Sequence, residues 1–170
     1  SSKAWAAADA NPADRITTGD TYLDAGRLYV AKFNSDGSGS WIELTISNPL
    51  ISGYATYTFA DQADICVNSR LAADAVGATK MDRPEWCSTN VANGEIYFTL
   101  TNNSNRAVAS ATMPPDSANP RVYTDLKGGT AEQKGNPNGH VLRLREGAVG
   151  NAATSFSWDV YVFGAESGAA

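Results

Sequence analysis

The chain has 170 residues, a formal net charge of −5 and an isoelectric point near 4.7. This length fits one domain with a hydrophobic core, and the acidic balance excludes the basic footprint that nucleic-acid binding needs. No apolar run approaches the roughly 20 residues that cross a bilayer.

The first 25 residues read as a polar N-terminal arm. Pro12 and the run D-R-I-T-T-G-D stop any helical turn that begins in the alanines after Trp5. We therefore predict a single β-rich domain over residues 26–165 and a frayed tail over residues 166–170.

A β-hairpin is predicted at the start of this domain. The β-rich runs at 28–33 and 41–46 are separated by N-S-D-G-S-G-S, and Asp36-Gly37 supplies the positive-φ turn positions. The turn oxygens are also of the type that binds calcium, but a plain turn is the favoured interpretation.

A helix embedded among the strands is predicted from Gln62. Apolar residues recur at helical spacing across it, Gly77 is placed at its C-terminal cap, and Pro84 prevents its continuation. A compact loop then brings Asp82 and Glu85 close to Trp86.

Two cysteines flank this helix and loop. A disulfide between Cys66 and Cys87 would close a loop of about 20 residues and stabilise the fold by about 3 kcal/mol. The alternative is two unpaired, mostly buried thiols. Two thiols alone do not make a zinc site, which takes about four ligands.

Three further strands are predicted at residues 95–101, 140–146 and 155–163. Residues 107–139 are rich in proline and glycine, and so long a loop is usually functional or disordered. The predicted fold class is therefore mainly β, with antiparallel sheets, one embedded helix and long loops that carry the chemistry.

Polar residues of three kinds recur at the ends of these elements: carboxylates, asparagines and arginines. The four clusters are 82–85, 102–106, 119–121 and 136–146. Carboxylate and amide oxygens bind hard cations, and arginine binds phosphate with two parallel hydrogen bonds. The pattern favours a site that pairs cations with phosphate, although asparagine-rich loops also simply make good turns.

The single histidine, His140, excludes a multi-histidine metal site. We expect it to be a packed or hydrogen-bonded residue at the start of a strand rather than a catalyst.

Several motifs in order resemble the PhoX-type alkaline phosphatase family. They include R-L-A-A-D-A-V-G-A-T-K-M-D-R-P-E-W, G-E-I-Y-F-T-L-T-N-N-S-N-R, N-P-R, G-N-P-N-G-H-V-L-R-L-R-E and F-S-W-D-V-Y-V-F-G. The resemblance extends from about residue 26 to residue 165. It implies a partial β-propeller of a few blades, in a periplasmic or extracellular phosphatase that uses calcium and iron to hydrolyse phosphate monoesters.

The resemblance also implies roles for individual residues. Those implied for catalysis are Arg143, Glu85 and Glu146, for phosphate binding Arg143, Arg106 and Asn103, and for metal binding Glu85, Glu146 and Asn102. Each of these residues has a purely structural alternative.

Members of this family are several times longer than 170 residues. The chain is therefore interpreted as a portion of a phosphatase that remaining propeller segments complete, and that is inactive alone if they are missing. The alternative is a non-catalytic, self-associating structural or filament-forming β-protein derived from the same family.

Overall fold

The computed structural model describes residues 6, 11–23, 26–126, 132–147 and 152–165. The helices are α1 (Arg15–Leu23), α2 (Pro49–Ser52), α3 (Gln62–Val67) and α4 (Ser69–Ala75). The strands are β1 (Tyr29–Phe33), β2 (Ser38–Glu43), β3 (Pro84–Thr89), β4 (Ile96–Leu100), β5 (Tyr123–Asp125), β6 (Gln133–Gly135), β7 (His140–Glu146) and β8 (Ser155–Phe163).

Six of these strands form one sheet, in the order β1-β2-β8-β7-β4-β3, and β5 pairs with β6 in a second sheet. The pairs β2–β8, β8–β7, β7–β4 and β4–β3 are all antiparallel. The prediction of a mainly β fold with antiparallel sheets is confirmed, and each predicted strand has a counterpart in β1, β2, β4, β7 or β8.

The chain divides into two compact units, and a single β-rich domain over residues 26–165 stays a prediction. The first unit comprises Ser1–Val30 and Ile42–Gly77, and the second comprises Ala31–Trp41 and Ala78–Ala170. The boundaries fall inside β1 and β2.

The first unit packs short helices around a small apolar core. Its buried members are Leu44, Ile51, Phe59, Ile65, Ala72 and Val76. The predicted embedded helix is present, but it is divided at Asn68, whose backbone leaves the helical region with φ −103° and ψ 37°. The Asn68 side chain donates to the Asp64 carboxylate at 2.7 Å, and such local bonds compete with a regular helix. Gly77 takes φ +67°, as its predicted capping role requires.

Helix α1 lies where the sequence predicted only an arm. Asp14 begins it, because its carboxylate accepts the Thr17 backbone N–H at 3.0 Å and the Thr17 hydroxyl at 2.6 Å. This is an N-cap, and it makes the polar run a helix rather than a break. Residues 1–5 and the predicted tail at 166–170 lie outside the described residues.

The second unit has its core on one face of β7 and β8. Leu142 and Leu144 are 0% exposed, and Arg143 between them faces outwards. Phe156 and Trp158 of β8 lie on the same inner face, and Phe33 makes edge contacts with both rings at 5.2 Å between centroids. Buried and less buried residues alternate from His140 to Leu144 in β7 and over the first four residues of β8. A two-residue period of this kind is recognisable from sequence.

The predicted hairpin turn is present, with one difference. Gly37 has φ +82°, but Asp36 does not take a positive φ. Instead, the Asp36 carboxylate accepts the backbone N–H and the hydroxyl of Ser38, at 2.9 and 2.6 Å. The Asp36 carboxylate is thus bonded within the turn, as the plain-turn interpretation predicts.

The segment predicted as a long loop, 107–139, contains β5, β6 and several side-chain-bonded turns. The Asp116 carboxylate accepts the backbone N–H groups of Ala118 and Asn119, at 2.9 and 2.8 Å. Ala118 and Asn119 are both buried. None of the helices in the described part of the chain is long and apolar enough to cross a membrane.

Candidate functional site

Four strands of the second unit present their ends together at one end of the main sheet. Pro84 pairs with Leu100, Leu100 with His140, and His140 with Phe163. We call this the His140 end of the sheet. Three of the four polar clusters predicted from sequence adjoin this row of paired residues, and the buried Asn119 is bonded to them, so this end is the candidate site.

A buried polar network lies beneath this end. Its members are Asp82, Asn103, Arg106, Asn119, Asn136 and His140, each no more than 5% exposed. Among the described residues, every buried side-chain nitrogen and oxygen has a hydrogen-bond partner. The network is therefore fully satisfied, which buried polar groups require if they are not to destabilise the fold.

Asp82 is the centre of the network. One carboxylate oxygen, Oδ1, accepts from Asn103 Nδ2 at 2.7 Å and from Arg106 Nε at 2.9 Å. The other oxygen accepts from Asn136 Nδ2 at 2.9 Å, and the Asp82 backbone N–H donates to Asn119 Oδ1 at 2.9 Å. Through its carboxylate and its backbone N–H, Asp82 thus joins three other chain segments that are far apart in sequence.

Arg106 has all its donors engaged inside the protein. Besides Nε, its Nη2 lies 2.8 Å from Asp82 Oδ1 and 2.7 Å from the Lys80 carbonyl. Its Nη1 lies 2.6 Å from the Pro114 carbonyl and 3.5 Å from Asp116 Oδ2. With the side chain 1% exposed, the N–H groups of Arg106 are enclosed by the protein, so the predicted phosphate role would require Arg106 to leave Asp82.

His140 is held as one neutral tautomer. Its Nε2 lies 2.6 Å from the Ala118 carbonyl oxygen, so Nε2 must donate. Its Nδ1 lies 3.1 Å from Asn136 Nδ2 and must accept. Burial lowers the pKa of His140 from its ordinary value of 6.5, with a smaller opposing effect from the Ala118 hydrogen bond. His140 is thus a hydrogen-bonded residue at the start of a strand.

We expect the protein to lose stability as pH falls below about 6.5. Because the folded-state pKa of His140 is lowered, the unfolded chain takes up a proton over a range in which the folded protein does not. The stabilisation is fully present above pH 6.5. It declines towards acid by at most about 1.4 kcal/mol per pH unit. Urea unfolding at several pH values between 5 and 8 measures this.

A loss of stability in this pH range can be assigned to His140, because it is the only histidine in the chain. Its imidazole resonances, followed by NMR in the folded protein, should show no titration near pH 6.5. A folded-state titration at or above that pH, or stability that rises between pH 7 and 5.5, would contradict the structure.

Exposed polar groups lie directly above the network, on the start of β3 and the end of β4. We call Arg83, Glu85, Thr101 and Asn102 the surface cluster. Arg83 Nη1 donates to Asn102 Oδ1 at 2.8 Å, and its Nη2 lies 3.6 Å from Glu85 Oε1. The Thr101 hydroxyl donates to the same Glu85 oxygen at 3.3 Å. The side chains of Arg83 and Glu85 are 61% and 53% exposed, so both are open to a ligand.

The backbone of Arg83 is unusual. Its φ of +51° lies in the left-handed region, which no other non-glycine residue of the described ranges occupies. It stands between the buried Asp82 and Pro84, which disfavours the right-handed helical region for the residue before it. The buried network thus holds the backbone of Arg83 in a conformation that residues with a Cβ seldom adopt.

Arg143 lies elsewhere, on the outer face of the sheet. Its Nε and Nη2 donate to both oxygens of Asp159, at 3.0 and 2.6 Å. This contact raises the pKa of Arg143 and lowers that of Asp159. Arg145 lies between Glu95 at 2.7 Å and Asp159 at 3.5 Å. The four charges balance one another, which is typical of a cross-strand ion network.

Glu146 lies at the opposite end of β7 from His140. The separation is six residues, or about 20 Å at the rise of a β-strand. Its Oε1 accepts from Trp41 Nε1 at 3.1 Å. Glu85 and Asn102 therefore lie close together, whereas Glu146 is too distant from them to share a cation.

The metals implied by the resemblance do not fit these residues as a complete site. Calcium takes six to eight oxygen ligands, but the surface cluster offers one carboxylate and one amide oxygen already bonded to Arg83. Within the described ranges, no three His, Cys, Asp or Glu side chains come together to hold a metal ion.

The two cysteines are free thiols in this structure, and both are exposed. The candidate disulfide between Cys66 and Cys87 is accordingly not formed here, and the alternative of mostly buried thiols does not describe them either. Cys87 lies on β3, all of whose residues are exposed.

Asn119 and Asn136 belong to polar clusters recognised in the sequence, but their burial in one network was not predicted. Both stand in asparagine-proline pairs, which indicate turns, and nothing in such a pair shows that the amide will be buried. The sequence did contain one signal of a closely packed backbone here, the two glycines Gly135 and Gly139 on either side of Asn136. Both have positive φ, and a Cβ on either would collide with a backbone carbonyl.

Comparison with known proteins agrees with this architecture. The family model described as alkaline phosphatase PhoX matches residues 7–170. Among solved structures, the chain is similar to "Pseudomonas fluorescens PhoX in complex with vanadate, a transition state analogue", with a TM-score of 0.68 and 37% identity over 88% of this chain. It covers 25% of that protein, so it spans about a quarter of its length. No curated protein matches. Because the family model covers nearly the whole chain, the protein belongs to the PhoX alkaline phosphatase family.

Proposed function

We propose that this chain is a portion of a phosphatase that hydrolyses phosphate monoesters, with the surface cluster at the His140 end as its part of the site. The observation that carries the proposal is the exposed pair of Arg83 and Glu85, supported by a rigid buried network in a chain of the PhoX family. Because the chain covers a quarter of the solved relative, the activity of a whole enzyme is itself part of the proposal.

Within this proposal Arg83 is the phosphate-binding residue. Asn102 and Glu85 orient its guanidinium, at 2.8 and 3.6 Å, and its exposed donors can form a bidentate contact with phosphate oxygens. A guanidinium in this position would stabilise negative charge that develops on the phosphoryl group. The earlier candidates are less accessible than Arg83, whose side chain is 61% exposed. Arg106 is 1% exposed, and Arg143 is 24% exposed with its guanidinium bonded to both oxygens of Asp159.

Glu85 is the carboxylate of the proposed site. It orients Arg83, and its oxygens are of the type that hard cations bind. Metal binding by Glu85 remains part of the proposal and needs further ligands from outside the described residues. The calcium and iron of the family, and its periplasmic or extracellular location, likewise remain proposals for this chain.

We expect Glu85→Gln to reduce the hydrolysis of p-nitrophenyl phosphate by roughly 10- to 100-fold, as loss of a ligand-orienting group does. The purified chain is assayed with added calcium and iron, before and after chelation. Glu43→Gln is the matched control. Glu43 also forms an exposed pair with an arginine, Arg27, at 3.3 Å, so this change should leave activity unaltered.

Two outcomes decide the proposal. Full activity in Glu85→Gln would contradict the placing of the site at Glu85. No metal-dependent turnover by the unaltered chain would exclude catalysis by this polypeptide and leave its membership of the family as the connection with phosphatases.

The second candidate function is a self-associating structural β-protein. The observation that favours it is β3, the last strand in the order of the sheet. All six of its residues are exposed, with Trp86 at 74%, and an open strand of this kind can pair with another chain. Light scattering tests the second candidate function. Self-association predicts an average mass that rises with protein concentration, and a monomer mass at all concentrations would exclude it.

A further inference from the structure

Arg121 is held differently from the other arginines of the second unit. Its guanidinium carbon lies 4.3 Å from the centre of the Phe163 ring and 5.4 Å from that of Tyr123. By contrast, Arg83, Arg106, Arg143 and Arg145 all form ion pairs with carboxylates. In the described ranges no carboxylate lies within ion-pair distance of Arg121. The two aromatic rings contact the face of the Arg121 guanidinium, so its N–H groups remain available to other partners.

Two donors at this position are only weakly used. Arg121 Nη1 and the Tyr123 hydroxyl each lie 3.5 Å from the same oxygen, the carbonyl of Gly164. That distance exceeds the 2.7–3.2 Å of an ordinary hydrogen bond. Asn138 Nδ2 donates to the Tyr123 oxygen at 2.9 Å, so the hydroxyl proton of Tyr123 remains to be donated. The two donors are at most about 7 Å apart, because both face one oxygen.

The surrounding backbone holds these groups in place. Tyr123 pairs with Gly135 between β5 and β6, and Phe163 pairs with His140 at the end of β8. The Gly164 N–H donates to the Gly139 carbonyl at 3.0 Å. Both aromatic rings are therefore carried by paired strands, and Arg121 stands two residues before β5, which favours a pre-formed binding position.

This position shares the His140 end of the sheet with the surface cluster but is separate from it. Strand β8 is the third strand from β3, and three inter-strand spacings amount to about 14 Å. An anion bound at Arg121 would not contact Arg83 directly.

We infer that Arg121 and Tyr123 form a second oxyanion-binding subsite, for a phosphate group. The planar fork of a guanidinium matches two oxygens of such an anion, and the Tyr123 hydroxyl supplies a further donor. The choice of phosphate over other oxyanions rests on the proposed function. The Asp125 carboxylate shares the Asn138 donor with the Tyr123 hydroxyl. Its negative charge opposes anion binding, so the donors of Arg121 and Tyr123 must outweigh it.

The test is calorimetric titration of inorganic phosphate into the whole chain at low ionic strength, without metal or ester. The variants are Arg121→Lys, which keeps the charge but removes the fork, and Tyr123→Phe, which removes only the hydroxyl. Arg83→Lys shows how much phosphate binds at the surface cluster and not at Arg121. Arg27→Lys is the control, because it makes the same replacement at an arginine of the first unit. Sodium acetate is titrated in parallel.

We expect Arg121→Lys to weaken phosphate binding about tenfold or more, the usual effect of losing a charge-assisted hydrogen bond. Tyr123→Phe should weaken it less, and Arg27→Lys should leave it unchanged. Unaltered phosphate binding in Arg121→Lys, or no saturable binding by the unaltered chain, overturns the inference. Equal affinity for acetate overturns the assignment to phosphate. Because no turnover is measured, these results are independent of whether the chain hydrolyses esters.

Discussion

Replacing Asp82 with alanine is expected to lower the free energy of unfolding by about 3–5 kcal/mol. The change leaves the Arg106 guanidinium, which is 1% exposed, buried without its counter-charge. It also removes the acceptors of Asn103 and Asn136. Urea denaturation of both proteins at pH 7.5, where His140 is neutral in either state, measures the difference.

The exposed pair of Arg27 and Glu43 provides the matched control. Glu43→Ala removes a carboxylate from a pair in which the arginine is 71% exposed, so it should cost no more than about 1 kcal/mol. The double variant Asp82→Ala, Arg106→Met should recover part of the loss, because it removes the unpaired charge. Equal destabilisation by Asp82→Ala and Glu43→Ala would show that the network is not buried in solution.

The second large effect is expected in the core of the second unit. Leu142→Ala should destabilise the fold by about 2–5 kcal/mol, the range for truncating a buried leucine. Leu142 is 0% exposed and lies between β4 and β8, where it pairs with Phe98 and Val160. Both neighbouring strands limit how far the cavity can collapse, and thermal or urea unfolding reports the loss.

Val91→Ala is the control for this prediction. Val91 is 97% exposed, so its truncation should change the free energy of unfolding by no more than about 0.5 kcal/mol. A small effect of Leu142→Ala, comparable with that of Val91→Ala, would contradict the register that places Leu142 on the inner face.

The buried network connects stability with the candidate site. Asp82 is bonded inside the protein, and the next residue, Arg83, is the exposed centre of the surface cluster. Asn103 and Asn102 repeat this arrangement, one buried and bonded to Asp82, the other bonded to Arg83. Groups that bind a ligand are positioned by rigid residues behind them, so Asp82→Ala should also impair the phosphate binding that we propose for Arg83.

Much of the fold was predictable because its strands alternate. In β7, Leu142 and Leu144 alternate with Arg143 and Arg145, and a two-residue period of this kind indicates a half-buried strand. Gly37 in the hairpin and Gly77 after α4 were predictable because both positions require a positive φ. The family was recognisable from several motifs in order.

Other elements could not be predicted from local pattern. Strand β3 has six exposed residues and no alternation. It is a strand because it pairs with β4, and no short-range signal records that pairing. Helix α1 was missed because its evidence is a single capping residue, Asp14, in a polar run without an apolar face.

The sequence by itself determined the mainly β class, the family and the residue types of the site. It did so because periodicity, turn glycines and ordered motifs are local properties of a chain. Tertiary structure alone decided which of those residues act together. It buried Arg106 against Asp82 and brought Glu85 to Asn102. It also placed Glu146 about 20 Å away along β7. Those distances depend on strand order and register, which arise when segments far apart in the chain pair and bury their apolar faces.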